Sequence, residues 1–389
     1  MAMGWRLYGV VCVLVLAGAV ALSGCRRKTG ADGPIRIGAI FSVTGPGAYL
    51  GAPEKKTLEM LVEKLNAAGG INGRQIELIV ADSGTNTEKA LSLAKQMIDE
   101  QEVLAIIGPS TSGETAAVMP VCQEGRTPLI SCAAAEKITN PLLSYVFKVA
   151  PNDSDAVRWI FKTMNQMKVS RVLLLSSTDG FGVAGKAQVE ELGPKFGISI
   201  VISEQYPKEE TDLTDVVTKL KGRDVQAVIN WSAVPAQGLV AKNMKQIGLN
   251  VPLFQSHGFG NRKNIEMGGE AAEGTLLPCG RILVADVLPD NHPQKAVLMQ
   301  YKKDYEGKFG EDASMFGGHP HDALLLLTEA IRKAGEPDRQ KVRDALENLR
   351  GVVGTAGVFN LSPKDHCGLG EDAFEMLVVK DGKFAVYKK

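Results

Sequence analysis

The residues in this 389-residue chain that most resemble a chemical motif are Gly180-Phe181-Gly182-Val183-Ala184-Gly185. They follow the apolar stretch 171–177 and open a helical pattern, and Glu204 stands 24 residues after Gly180. A dinucleotide-binding loop uses that spacing to bring backbone close to a pyrophosphate and an acid to the ribose. A solitary glycine motif is weak, and Asp179 would set a second anion beside the pyrophosphate. The plainer reading is a glycine-rich strand-to-helix turn. A second candidate is Pro109-Ser110-Thr111-Ser112-Gly113, which leads straight into a helical pattern. Hydroxyls and backbone donors beside a helix N-terminus can hold a carboxylate or phosphate without any cation. The same residues also make an ordinary N-cap. Other constellations fail. His257, His292, His319, His321 and His366 form no H-E-x-x-H, and His319 and His321 point apart at i and i+2. There is no Gly-x-Ser-x-Gly elbow and no Cys-x-x-Cys, so no metal or cofactor is expected.

Lys and Arg (44) balance Asp and Glu (44), which removes the cationic surplus that nucleic-acid binding needs. Arg6 is the lone charge before the apolar run 7–22, which ends in Leu22-Ser23-Gly24-Cys25. That run is short for a membrane span and reads as a signal peptide, 1–24. Cys25 after Leu-Ser-Gly is similar to the lipobox of bacterial lipoproteins, whose Cys takes the lipid and becomes the mature N-terminus. Residues 25–33 then form a tether, and the chain works outside the cytoplasm, anchored to a membrane by lipid. Cys122, Cys132, Cys279 and Cys367 remain, with three possible pairings or none.

The elements that must position these residues alternate. The β-branched run 35–43 reads as a strand, and Leu58, Leu61, Val62 and Leu65 then mark one helical face. Strands at 75–81, 103–108 and 128–132 follow, with helices near 86–99 and 113–123. A second series begins after Pro151: helices 153–167, 182–196, 212–221 and 235–247, and strands 171–177, 198–203, 225–231 and 252–256. Three helices (293–309, 318–334, 338–348) and two strands (374–379, 383–387) complete the chain. Two such series imply two doubly wound, Rossmann-like α/β lobes. Ligands of such sheets sit beyond the carboxyl ends of the strands. Those loops are rich in Gly, Ser, Thr and Ala.

Residues 34–387 resemble the extracytoplasmic solute-binding proteins of branched-chain amino-acid-type ABC importers. The stretches that carry the likeness include SVTGPGAYLG (42–51), NAAGGINGRQIELIVAD (66–82), IIGPSTSG (106–113) and PLISCAAAEKIT (128–139). VFKVAPNDS (146–154), DGFG (179–182), EAAEGTLL (270–277) and GHPHDALLLL (318–327) follow in order. The resemblance implies the type I periplasmic binding protein fold, with two lobes joined by three crossovers near 149–151, 277–279 and 358–361. Lobe 1 would comprise 34–149 plus 279–358, and lobe 2 would comprise 150–278 plus 359–389. It also implies a monomer that is not an enzyme, captures a small molecule and delivers it to ABC permease subunits.

The resemblance further implies that Ser112, with backbone groups at Ala133 to Ala135, holds a ligand carboxylate. Amino-acid-binding members carry an acid in the loop matching 256–258, where it meets the ligand ammonium. This chain has His257 there. An ammonium left unpaired in a closed cleft costs several kcal/mol, so an amine-free, aromatic or other organic acid is the favoured ligand. A branched-chain amino acid is the alternative, and an exported dinucleotide-dependent oxidoreductase a distant one. Tyr49, Phe181 and Trp231 are expected to supply apolar walls, and His321 joins the ligand set.

Overall fold

The computed structural model describes residues 33–219 and 222–388. Cys25, the leader and most of the tether lie outside them. The first series comprises β1 (Ile35–Phe41), α1 (Ala48–Ala67), β2 (Ile76–Asp82), α2 (Thr87–Asp99), β3 (Ala105–Ile107), α3 (Ser112–Glu124), β4 (Leu129–Ser131) and β5 (Val146–Lys148). The second comprises α4 (Asp153–Gln166), β6 (Arg171–Ser177), α5 (Gly180–Leu192), β7 (Ser199–Tyr206), α6 (Thr214–Thr218), β8 (Ala227–Trp231), α7 (Val240–Gln246), β9 (Leu253–Gln255), α8 (Arg262–Gly268) and β10 (Leu276–Cys279). After these come α9 (Lys295–Phe309), α10 (Met315–Ala334), α11 (Arg339–Leu346), β11 (Arg350–Val353), β12 (Val358–Asn360), β13 (Glu375–Lys380) and β14 (Lys383–Val386).

Two sheets organise the described residues. The first runs β2-β1-β3-β4-β5, all parallel, and the second runs β14-β13-β10-β9-β8-β6-β7. The parallel part of the second repeats the order of the first, and β13 and β14 extend it antiparallel. Ile35, Ile37 and Phe41 are buried with Ala323, Leu327 and Ile331 of α10 on one face of the first sheet. Ile40 and Ile106 are buried with Ala90, Met97 and Val118 of α2 and α3 on the other. The second sheet is covered likewise by α4 and α5 and by α6 and α7. Burial on both faces explains why these strands read as continuous apolar runs rather than alternating ones.

Sequence reading missed β5, β10, α8 and the β11–β12 hairpin. The first two are three and four residues long, too short to show a period of their own. Cys122, Cys132, Cys279 and Cys367 are buried free thiols, so none of the three pairings forms. Burial pushes the Cys122 and Cys279 thiols up to about 12, which leaves both as inert core residues.

Candidate functional site

The order of each sheet reverses between β1 and β3 and between β6 and β8, and the loops at these points face each other. They enclose a cavity of about 330 Å³, the size of a small-molecule site. The lobes touch beside it. A Cβ built on Gly180, at the start of α5, would stand 2.8 Å from the Gly113 amide nitrogen of α3. Glycine is needed there for close approach between helix ends. That contact leaves no room for a pyrophosphate, and Glu204 is engaged with Lys219 at 3.1 Å.

The first lobe's wall is held by hydrogen bonds. Thr111 caps α3 by accepting from the Glu114 amide, and its hydroxyl donates back to Glu114 Oε2 at 2.6 Å. Ser42 Oγ donates to the same oxygen at 2.7 Å, and Ser110 Oγ donates to Glu54. Burial raises the Glu54 carboxyl well above the usual range. Ser112, 5% exposed, lines the cavity, and its Oγ accepts from the Ala135 amide at 3.3 Å. Ala133 also lines the cavity, but its amide donates to Ser131 Oγ at 3.1 Å. The amides of Ala133 and Ala135, expected to meet a carboxylate, are therefore committed within the protein. The Ala134 amide between them has no partner among the described residues, and Ala134 lines the cavity. Periodicity carries no sign of this choice, because the loop between β4 and residue 136 has no regular structure.

The second lobe's wall is built of rings. Asp179 caps α5 by accepting from the Phe181 and Gly182 amides, both at 2.9 Å. Phe181 lines the cavity and meets the edge of His257 at 5.2 Å between centroids. His257 lines it too, is 2% exposed, and has no hydrogen-bond partner on either ring nitrogen. Burial first, then the neighbouring His319 and Lys148, lowers it to about 3, so the ring is neutral. Its Nε2 lies 3.7 Å from Asp153 Oδ1, and burial raises that equally unpartnered acid to about 7.

Three expected wall residues stand elsewhere. Trp231 is fully buried beneath Phe181 and against Gly185, so it supports the wall without facing the cavity. Tyr49 packs edge-on against Phe316 at 5.6 Å and lines a separate, wider groove, and it is Phe316 that reaches the cavity. His321 lies outside the lining, with Nδ1 2.9 Å from Asp322 Oδ1. His319 takes the cavity position, since α10 continues through Pro320 and turns residues i and i+2 apart. Sequence reading also missed Glu114, Asp179, Met315 and Phe316 in the lining.

A profile of the family described as periplasmic binding protein matches residues 34–383. The chain belongs to that family. This binding protein has the type I fold of branched-chain amino-acid-type receptors. It is a solute receptor of an ABC transporter and not an enzyme. It is similar to the leucine-, isoleucine-, valine-, threonine- and alanine-binding protein of Pseudomonas aeruginosa, 26% identical over 85% of this chain and 87% of that one. It is 27% identical to the Leu/Ile/Val-binding protein homolog 1 of Brucella suis, over 80% and 82%. Its fold matches an extracellular ligand-binding receptor from Rhodopseudomonas palustris, with a TM-score of 0.86, 26% identity, and 92% and 100% coverage. The binding protein works outside the cytoplasm. Among its described residues, no helix is long and apolar enough to cross a membrane.

Proposed function

We propose that this receptor closes its two lobes on a small carboxylate and hands it to the permease. The carrying observation is a pair of donor-bearing residues that both line the cavity, Ser112 at the start of α3 and Ala134 in the loop after β4. The Ser112 hydroxyl keeps a proton to donate, the Ala134 amide has no partner among the described residues, and the positive end of a 13-residue helix stands beside them. The ligand body rests against Phe181, Phe316 and the neutral His257. Loop 256–258 holds no acid, so an amine-free acid binds better than the matching amino acid. A branched-chain amino-acid ligand is the second reading. It is favoured by Asp179, an acid that lines the cavity, and by the likeness to the Pseudomonas leucine-, isoleucine-, valine-, threonine- and alanine-binding protein.

Calorimetry with leucine and with 4-methyl-2-oxopentanoate separates the two. Tighter binding of leucine transfers the assignment to the second reading. Lobe 1 is taken as 34–149 plus 279–358 and lobe 2 as 150–278 plus 359–389, acting as a monomer. Small-angle scattering should show a smaller radius of gyration once ligand saturates. Cys25 carries the anchor in this reading. Cys25→Ser should move the protein out of the membrane fraction, and an unchanged fraction refutes the anchor.

A further inference from the structure

We propose that Lys148 is a positioning residue for the carboxylate site, acting on the ligand through the Ala134–Ala135 peptide and the Ser112 hydroxyl. The inference rests on the carboxylate reading and adds to it a source of positive charge. Lys148 ends β5, and its side chain is fully buried. It forms no ion pair among the described residues. Its Nζ donates to the Ala134 carbonyl at 2.7 Å and lies 3.5 Å from the Ala135 carbonyl.

A carbonyl that accepts from a cation makes the N–H of its own peptide a stronger donor. That N–H belongs to Ala135 and donates to Ser112 Oγ at 3.3 Å. Accepting there leaves Ser112 its own proton to donate into the cavity. Ammonium, peptide and hydroxyl thus line up with their positive ends toward the ligand. In a dry interior each link polarises the next, and salt screens little of it. Three nearby titratable groups, Asp153, His257 and Cys367, feel the Lys148 charge, and none accepts a hydrogen bond from it. A ligand carboxylate in the cavity supplies the counter-charge that the buried cation lacks.

The test is calorimetry on the full chain, purified in detergent, as wild type, Lys148→Met and Lys148→Arg. Three acids serve as probes: leucine, 4-methyl-2-oxopentanoate and benzoate, each with its primary amide. Lys148→Met should weaken whichever acid binds by ~10- to 100-fold, the worth of a charge-assisted hydrogen bond. The uncharged amides should move by less than about threefold, and Lys148→Arg should restore most of the acid affinity. Acid and amide falling together would mean that Lys148 merely braces the loop, and an unchanged acid affinity would also overturn the inference. If no acid binds wild type, the carboxylate reading falls and the ligand role of Lys148 with it. Amide hydrogen exchange without ligand tests the relay separately. Ala135 should exchange ~10-fold faster in Lys148→Met while Ile130 and Phe147 keep their protection. Unchanged protection at Ala135 overturns the relay whatever binds.

Discussion

In the first lobe the loops after β1, β3 and β4 are tied by hydrogen bonds. Glu114 takes Ser42 and Thr111, Glu54 takes Ser110, and Lys148 takes the Ala134 carbonyl. In the second lobe the loops after β8 and β9 are also tied by hydrogen bonds, through Ser232, Ser256 and Gln237, but the side chains they and the loop after β6 bring to the cavity are rings, with Phe181 and His257 resting on Trp231. The order of the parallel strands is the same in both sheets. Equal topology therefore does not make equal walls. A hydrogen-bonded wall aims donors at one atom, whereas a ring-packed wall offers shape and excludes water.

The strongest test of this contrast is Trp231→Ala. Removing a fully buried indole should cost about 3–5 kcal/mol of unfolding free energy, read by denaturant titration. A loss under 1 kcal/mol would mean the second wall does not depend on its rings. Next comes His257→Glu, which puts an acid on the ring-built wall. By calorimetry, leucine should gain on 4-methyl-2-oxopentanoate by about 3 kcal/mol, because its ammonium acquires a partner while the keto acid meets repulsion. No change in that ratio would remove His257 from ligand contact.

Ser112→Ala probes the opposite wall. Acid binding should weaken by about 1.5–3 kcal/mol, while unfolding shifts by about 1 kcal/mol or less. Equal losses in both measurements would erase the distinction between an aiming wall and a packing wall.

The smallest effect concerns acidity. Burial lowers His257 from 6.5 to about 3, so the unfolded chain protonates there first and stability is lost as pH falls from 6.5 toward 3. Asp153, raised from 3.8 to about 7, acts in the opposite sense: stability is lost as pH rises from about 4 to 7. The two slopes oppose each other over most of that window. His257→Phe removes the first, so relative to wild type it should gain stability as pH falls from 6.5 to 4, by at most about 1.4 kcal/mol per unit. Asp153→Asn should gain as pH rises over the same range. Unfolding curves that stay parallel to wild type across these pH values would show that neither group is buried as described.

Much of the architecture was legible because α/β units announce themselves twice, by apolar runs and by helical periodicity. The runs 35–43 and 171–177 contain β1 and β6, and the period at Leu58, Leu61, Val62 and Leu65 falls on α1. The cavity was legible in part. Ser112, Ala133, Phe181 and His257 were reachable because loops at carboxyl strand ends must line it. Phe316 and His319 were not, since they arrive from a helix near the far end of the chain, where local pattern says nothing about which sheet it will cover.

The sequence by itself determined the two alternating series and the hydroxyl-rich loop before α3. Each is written in a contiguous stretch of fewer than 20 residues or in a period of 2 or 3.6. Only the tertiary structure decided which residues and groups reach the cavity. It spends the Ala133 and Ala135 amides, leaves the Ala134 amide free, sends Trp231 underneath and chooses His319 over His321. Those choices depend on partners in other elements, as when the Ala135 amide meets Ser112, 23 residues earlier, and a buried polar group goes wherever a partner closes its hydrogen bond.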